Sequence, residues 1–230
     1  MSPLAMVVGV ILPPVTFVLF AGALLNRIWV WRRPPEADAA RCAASSRARA
    51  AAIMKETLLV PSLFLGDRFL WALSWVFHLM LVLIFLGHVR VVADVPQLWE
   101  VLHLDPYTMS GVVGGAAGAT IVVMIVLLIA RRVAAERVQE VSAPADYFAL
   151  LLILGIVFTG NAMRLFGHVG PGETHRYFAS FAMLEWPTVP ENSWFLVHLF
   201  LGQVLLLYLP FSKIVHFGGV FCAQAAVKRG

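Results

Sequence analysis

Charge is scarce in this sequence: only 13% of its 230 residues are Asp, Glu, Lys or Arg, against about 25% in a typical soluble chain. Hydrophobic residues make up 60%, and the mean hydropathy is +0.85. A soluble globule of this size has too little interior to bury so much apolar surface. The composition therefore excludes intrinsic disorder, a collagen-like fibre and a disulfide scaffold, and it indicates an integral membrane protein.

Cysteine and nucleotide-binding motifs are also sparse. The two cysteines, Cys42 and Cys222, form no C-x-x-C pair, and the chain has neither a G-x-G-x-x-G fingerprint after a strand nor a P-loop. The topology predicted below places both cysteines on the reducing side of the membrane, so we expect free thiols. The net charge of +4 is attributed to topology and to anionic lipid rather than to nucleic acid.

Five apolar stretches, at 2–26, 69–88, 111–130, 147–163 and 194–212, exclude all 30 charged residues and approach the roughly 20 residues that a membrane-spanning helix needs. Backbone polar groups in lipid must be satisfied within the segment, and the alternation of a barrel strand is absent, so helices are predicted. Pro13-Pro14 predicts a kink in the first helix. We predict an all-α protein with one membrane domain over residues 1–230 and five transmembrane helices, at about 2–26, 69–90, 111–130, 147–166 and 194–213.

The connections between these helices predict the orientation. One side carries fourteen Lys and Arg residues and the other carries only Arg90, Arg164 and Arg176, which under the positive-inside rule places the N-terminus outside and the C-terminus in the cytoplasm of an inner-membrane protein. The connection over 32–66 is then cytoplasmic. Its Ala- and Arg-rich run predicts a helix on the membrane surface or under a partner, with plain lipid contact equally open.

Four of the seven histidines lie in or at the end of a predicted helix, His78 and His88 on the second and His198 and His216 on the fifth. Ionisable side chains in lipid are costly and face the protein interior. In the predicted topology His88 is level with His198 near the outer surface, and His78 with His216 near the cytoplasm. Along the helix axis, ten residues separate His78 from His88 by about 15 Å, and eighteen residues separate His198 from His216 by about 27 Å. We expect a bend at Pro210 to absorb part of this difference.

Two His–His pairs at two depths suit two b haems, each iron held by two imidazoles between facing helices. An iron with six ligands carries electrons and has no position left to activate a small molecule. Such a chain needs an electron source and a sink, and a lipid-soluble quinone is the natural membrane carrier. Glycines would give space to a flat macrocycle or to close helix packing; they are Gly87 and Gly202, and, with helix contact favoured, Gly111, Gly114, Gly115 and Gly118.

Several runs resemble one known family. The sequences WVFH and FLGH resemble the second helix of the respiratory nitrate reductase gamma subunit, VHLFLG and LPFSKIVH resemble its last helix, and GGAAG followed by Arg131-Arg132 resembles its third; they occupy 75–78, 85–88, 197–202, 209–216 and 114–118. The likeness runs from about Arg68 to the end, and the ten- and eighteen-residue histidine intervals are also similar to that family.

This resemblance implies a di-haem cytochrome b subunit of a quinone-linked oxidoreductase complex. His88 and His198 would ligate the iron of the outer haem, and His78 and His216 that of the inner one. Electrons would pass between menaquinol or ubiquinol near the outer haem and a cytoplasmic iron–sulfur subunit.

One branch of the family is more similar than the nitrate reductases. Gly66-Asp67-Arg68 and Arg90 look like the cytochrome b subunit of Dsr-type sulfur-metabolism complexes, whose partner resembles the catalytic iron–sulfur subunit of heterodisulfide reductase. That branch implies further membrane and periplasmic subunits. The nitrate reductase gamma subunit has a quinol-site lysine before its third helix, and segment 89–110 contains none. The gamma subunit itself stays the alternative.

Further site residues are predicted from position. The quinone pocket is assigned to His103, Asp105 and Tyr107, with a solvated outer loop as the alternative. Arg90 is predicted to pair with an outer-haem propionate or to reach the lipid interface. Lys213 or Arg68 would do the same for the inner haem; His168 and His175 are predicted to be surface residues.

Two other functional classes remain open. A transporter or proton relay also places histidines at two depths, but it more often has an acidic residue within a span, and the five apolar stretches have none. A membrane anchor for a peripheral enzyme would not need paired histidines.

Overall fold

The computed structural model describes residues 1–31, 59–92, 100–101, 103, 105–140, 142–167 and 169–215. Over these residues the regular structure is entirely helical, which confirms the predicted fold class. Several predictions fall outside them: the free thiols of Cys42 and Cys222, the roles of His168 and His216, and the helix within 32–58.

The α-helices of the described chain are α1 (Pro3–Met6), α2 (Leu12–Trp31), α3 (Pro61–Gly66), α4 (Arg68–Val92), α5 (Pro106–Ala134), α6 (Glu136–Glu140), α7 (Pro144–Ala162), α8 (Pro171–Ala182) and α9 (Ser193–Tyr208). Two π-helical turns, Val7–Ile11 and Met163–Gly167, and two 3-10 turns, Leu209–Phe211 and Lys213–Val215, extend them.

Five helical segments are long and apolar enough to cross a membrane, as predicted: Pro3–Val30, Arg68–Val91, Gly111–Ala134, Pro144–Gly167 and Ser193–Phe211. They extend the predicted spans by a few residues at several ends, because helical hydrogen bonding continues past the first charged side chain. The protein is therefore a multi-pass membrane protein. Its orientation across the membrane stays a prediction.

The chain divides into two compact units, Met1–Val15 with Val76–Leu205 and Thr16–Trp75 with Leu206–Gly230. The first unit has two buried apolar clusters. One gathers Ala5, Val10, Tyr177, Val189 and Phe195. The other joins α4, α5 and α7 through Phe77, Ile121, Ile125 and Val157.

In this unit α5 and α7 pack side by side and antiparallel. Their connection is closed by Arg132 at the end of α5, which lies 3.7 Å from the Asp146 carboxylate at the start of α7 and donates to the Ser142 hydroxyl at 2.8 Å. Asp146 also accepts the Ala143 N–H at 3.0 Å, which satisfies an amide at the amino end of α7. These contacts hold the end of α5 against the start of α7, and they thereby set which residues of the two helices face each other.

The prolines of the first span produce a local change of helix type. Pro13-Pro14 has no N–H groups, so the carbonyl of Gly9 has no backbone donor four or five residues ahead. The π-helical turn Val7–Ile11 directs the Leu12 N–H one residue further back than in an α-helix. The carbonyl of Val8 therefore also loses its α-helical donor.

Two distant side chains satisfy these carbonyls. The Tyr177 hydroxyl donates to the Gly9 carbonyl at 2.7 Å, and the Gln203 amide donates to the Val8 carbonyl at 2.9 Å. Tyr177 is completely buried, and burial raises the pKa of its phenol above the ordinary value, so the hydroxyl stays protonated and donates. The predicted kink thus becomes a docking point for α8 and α9.

The second unit contains the aromatic start of α4. The Trp71 indole N–H donates to the Leu59 carbonyl at 2.7 Å, and its ring meets Phe64 edge-on with centroids 5.0 Å apart. Asp67 caps α4 by accepting the Leu70 N–H at 2.8 Å. The Arg68 guanidinium lies 5.3 Å from the centroid of the Phe64 ring, which gives it a cation–π contact.

The last described segment, also in this unit, corrects one expectation. The fifth helix was expected at about 194–213, with a bend at Pro210, but α9 ends at Tyr208 and Ser212 is extended. The residue before a proline disfavours helical backbone, and the proline lacks the donor that a further turn needs. The expected rise of about 27 Å assumed one continuous helix, and the helix is interrupted before His216, which lies outside the described residues.

A cation from the first span meets this helix end. Arg27 donates to the carbonyls of Pro210 and Ser212, at 3.2 Å in the case of Ser212. Carbonyls past the end of a helix lack backbone donors, and a positive charge is favourable there.

Candidate functional site

Two histidine rings from different spans face each other in the first unit. His88, near the end of α4, and His198, on α9, have ring centroids 6.0 Å apart and ring planes inclined by 18°. The structure therefore brings together the pair that the sequence predicted for the outer site.

Both rings direct the same nitrogen at a backbone carbonyl. Nδ1 of His88 lies 2.8 Å from the Ile84 carbonyl, and Nδ1 of His198 lies 2.9 Å from the Ile156 carbonyl and 3.1 Å from the Thr159 hydroxyl. A carbonyl oxygen only accepts, so each Nδ1 carries the hydrogen and each Nε2 keeps a lone pair. Metal-bound histidines are oriented in this way, by donation from the other ring nitrogen.

The separation of the rings also suits a metal ion between them. Metal–imidazole bonds are about 2.0 Å long, so two imidazoles on opposite sides of one ion have ring centres roughly 6 Å apart. The described residues contain no group of three or more His, Cys, Asp or Glu that could hold an ion. Two facing imidazoles are sufficient only when another group supplies the remaining ligands, as a porphyrin does. The ring separation of His88 and His198 is therefore compatible with a bis-histidine haem.

Gly160 of α7 makes room for the His198 ring. A Cβ atom at this position would lie 3.1 Å from Cε1 of His198, which is tighter than ordinary contact. Gly87 and Gly202, which were predicted to leave space for a macrocycle, have no atom within 4 Å of a Cβ placed there. Both remain compatible with that role.

The second predicted pair is described only in part. His78 lies on the same continuous helix as His88, ten residues earlier, and its ring meets Phe77 edge-on with centroids 5.3 Å apart. His216 lies outside the described residues, so the inner pair stays a prediction.

The residues proposed for the quinone pocket lie before and in the first turn of α5. Asp105 is the N-cap and accepts both the N–H and the hydroxyl of Thr108, at 2.7 and 2.6 Å. His103 is exposed in a turn with a φ of 51°, and Tyr107 belongs to the helix. Asp105 therefore has a structural role that the sequence analysis did not assign, and the quinone role of all three stays a prediction.

The residues predicted to hold haem propionates are spread over two elements. Arg90 lies in the last turn of α4, Arg68 begins that helix, and Lys213 opens the last 3-10 turn. Next to Arg90, Nδ1 of the exposed His175 lies 2.8 Å from the Val91 carbonyl. His175 thus ties α8 to the end of α4.

Sequence reasoning missed two polar side chains of α7 and of the π-helical turn that follows it. Gly114 of α5 faces the Arg164 guanidinium, and Gly118 faces the Asn161 amide: a Cβ atom at Gly114 would lie 2.7 Å from Nη2 of Arg164, and one at Gly118 would overlap Asn161. The expected helix contact of the glycines is thus confirmed for these two. One sequence signal was available for them. Asn161 and Arg164 are polar residues three positions apart, at the end of the helix that packs against the glycine motif of α5.

A sequence model of the nitrate reductase gamma subunit family matches residues 59–225. The chain belongs to the nitrate reductase gamma subunit family. The match covers four spans of this family member, from α4 onward, and all four histidines of the two predicted pairs, so the predicted family is confirmed.

Individual relatives of this family member come from archaea and bacteria. The Hdr-like menaquinol oxidoreductase cytochrome b-like subunit of Archaeoglobus fulgidus is 34% identical over 163 residues, covering 67% of this chain and 49% of that protein. The protein of the same name from Archaeoglobus profundus is 28% identical over 170 residues, covering 67% and 48%. The nitrate reductase gamma chain of Bacillus subtilis is 26% identical over 158 residues, covering 62% and 69%. The chain spans about half the length of the two archaeal relatives.

Proposed function

We propose that this chain is a di-haem b, quinone-reactive membrane subunit of a respiratory redox complex. The observation that carries the proposal is the His88–His198 pair, with facing rings, Nε2 lone pairs free and a centroid separation of 6.0 Å. Family membership supports it independently.

In this proposal the haems supply the iron that takes up and gives up electrons, and the protein supplies ligands and their orientation. His88 and His198 hold the outer iron, and His78 and His216 hold the inner one. The Ile156 carbonyl and the Thr159 hydroxyl fix the tautomer and direction of the His198 ring. A donating Nδ1 makes Nε2 a better ligand.

The proposed electron donor or acceptor on the membrane side is a quinone. The names of the two archaeal relatives include menaquinol oxidoreductase, which favours menaquinone over ubiquinone for this chain. His103, Asp105 and Tyr107 remain the proposed pocket. Their place at the start of α5 agrees with a site at one end of a span.

The proposed partner is a cytoplasmic iron–sulfur subunit that resembles the catalytic subunit of heterodisulfide reductase, in a complex of sulfur metabolism with further membrane and periplasmic subunits. The Hdr-like part of the archaeal names supports this partner class. The charge asymmetry of the sequence supports an inner-membrane location with the C-terminus in the cytoplasm. Contact with membrane lipid follows from the five spans.

The first test is spectroscopic. The protein, produced with ample haem supply and purified in detergent, is expected to contain about two low-spin b haems per chain by pyridine haemochrome quantification. His88→Ala and His198→Ala are each expected to lose one haem, and the same one. The matched control is His175→Ala, which removes an exposed histidine whose Nδ1 lies 2.8 Å from the Val91 carbonyl and which meets no second imidazole among the described residues.

The outcomes are distinct. Wild-type protein without haem would overturn the proposed function and favour a transporter or proton relay. Haem that survives both substitutions would reject the pairing of His88 with His198. One haem per chain that depends on both residues would leave the outer site standing and remove the inner one.

A further inference from the structure

Arg164 is a cation within a membrane-spanning segment. It lies on the π-helical turn Met163–Gly167, in the span Pro144–Gly167. No hydrogen bond or ion pair joins it to any residue in the described part of the chain. Arg164 is exposed near the end of this span, so its guanidinium is accessible to an anionic group from outside the polypeptide, such as a lipid headgroup or the carboxylate of a ligand.

The Arg164 guanidinium has a defined position between two helices. It packs against the backbone of Gly114 on α5, where a Cβ atom would lie 2.7 Å from Nη2 and 3.0 Å from Cζ. One turn earlier on α7, Asn161 occupies the corresponding place over Gly118. The side chain is therefore held in the groove between α5 and α7, and any residue larger than glycine at position 114 would displace it.

The Arg164 guanidinium lies beside the His88–His198 pair. Gly160, four residues before Arg164, touches the His198 ring, and four residues of helix advance about 6 Å. Arg164 and His88 are both within electrostatic range of His198. The unpaired cation is therefore next to the pair proposed to hold the outer iron, and displaced from it along α7.

We infer that Arg164 binds a propionate carboxylate of the haem held by His88 and His198. The inference rests on the proposed function of that pair. The planar guanidinium offers parallel N–H donors that match a carboxylate, and a b haem carries two propionates. Arg164 can therefore act alongside Arg90, which was predicted from sequence for the same purpose.

The test is a redox titration of the purified protein at several pH values, with Arg164→Gln and Arg164→Lys. Loss of a positive charge beside the propionate disfavours the reduced iron, so Arg164→Gln is expected to lower the midpoint potential of the outer haem and leave the inner one unchanged. The carboxylate without its partner is expected to take up a proton on reduction, which adds a pH dependence that wild type lacks. Arg164→Lys is expected to restore most of both properties.

Arg176→Gln is the matched control, because Arg176 is an exposed arginine of α8 that donates to the Gly172 carbonyl outside the spans. Unchanged potentials and pH dependence in Arg164→Gln would overturn the inference while leaving the haem pair intact. Loss of the outer haem from Arg164→Gln but not from Arg164→Lys would support it. Loss from both variants would count against a role for the charge, and absence of a haem at His88–His198 in wild type would overturn both proposals.

Discussion

At the scale of single residues, the space around His198 is as specific as its hydrogen bonds. Gly160 of α7 lies against the ring. The Ile156 carbonyl and the Thr159 hydroxyl, on the same helix, lie within hydrogen-bond distance of Nδ1. One face of α7 thus determines where Nε2 points. A change of one methyl group on this face should therefore alter ligand geometry without changing the ligand.

Gly160→Ala tests this argument. The new Cβ atom would lie 3.1 Å from Cε1 of His198, so the ring must tilt or shift by a few tenths of an ångström. We expect a reduced ratio of outer to inner haem, or a displaced outer-haem spectrum, measured by haem quantification and reduced-minus-oxidised difference spectra. The inner haem should be unaffected.

The control for this variant is Gly22→Ala on α2, where a Cβ atom has no neighbour within 4 Å. Alanine in open helical space should leave both haems unchanged, with at most a small gain in stability. An outer haem of normal occupancy and spectrum in Gly160→Ala would show that the ring is not held by this contact.

Part of the site around His198 could be predicted from the sequence, and part could not. His88 and His198 could be paired from intervals and helix direction alone, because ionisable residues in spans are rare. Arg164 was counted only as an outer charge. The position of its guanidinium depends on Gly114 of the neighbouring helix α5. The pattern of residues within one helix does not show which glycine of another helix a side chain will face.

For the secondary-structure elements, the sequence predicted where prolines would disturb the helices. It did not predict the backbone conformation that results. Pro13-Pro14 predicted a kink, and the π-helical turn Val7–Ile11 immediately precedes it. The identity of the replacement donors, Tyr177 and Gln203, is set by tertiary packing more than 160 residues away. Pro210 was expected to bend the last helix and instead follows its end at Tyr208.

The Tyr177 bond gives the prediction at this scale. Tyr177→Phe leaves the buried Gly9 carbonyl without a donor, which costs about 1–3 kcal/mol, and we expect a lower unfolding temperature in detergent. Pro13→Ala supplies an N–H four residues ahead of Gly9. In the Pro13→Ala background, Tyr177→Phe should therefore cost less, and a double-mutant cycle measures the difference.

Tyr147→Phe is the matched control, since that half-buried hydroxyl reaches the Arg132 carbonyl only at 3.5 Å. It should destabilise the protein less than Tyr177→Phe does. Equal costs of Tyr177→Phe in both backgrounds would mean that its hydroxyl does not compensate for the amide that Pro13 lacks.

At the scale of the whole molecule, the arrangement in the membrane follows from where charge is absent. The five spans agree with the structure because an uninterrupted apolar run of this length allows few alternatives in lipid. The direction of the spans depends on the charges outside them, and these interact with the membrane and its insertion machinery rather than with the fold. The orientation therefore calls for a direct measurement.

The native cysteines provide that measurement. Cys42 belongs to the connection between the first two spans and Cys222 follows the last one, so the predicted topology places both thiols in the cytoplasm. In spheroplasts, a membrane-impermeant maleimide should label neither thiol until the membrane is permeabilised. A variant with Cys42→Ser, Cys222→Ser and Glu173→Cys, the last at an exposed position of α8, should be labelled at once in intact spheroplasts. Labelling of the native thiols without permeabilisation, together with protection of the new cysteine, would invert the topology, and it would place the His88–His198 pair near the cytoplasm rather than near the outer surface.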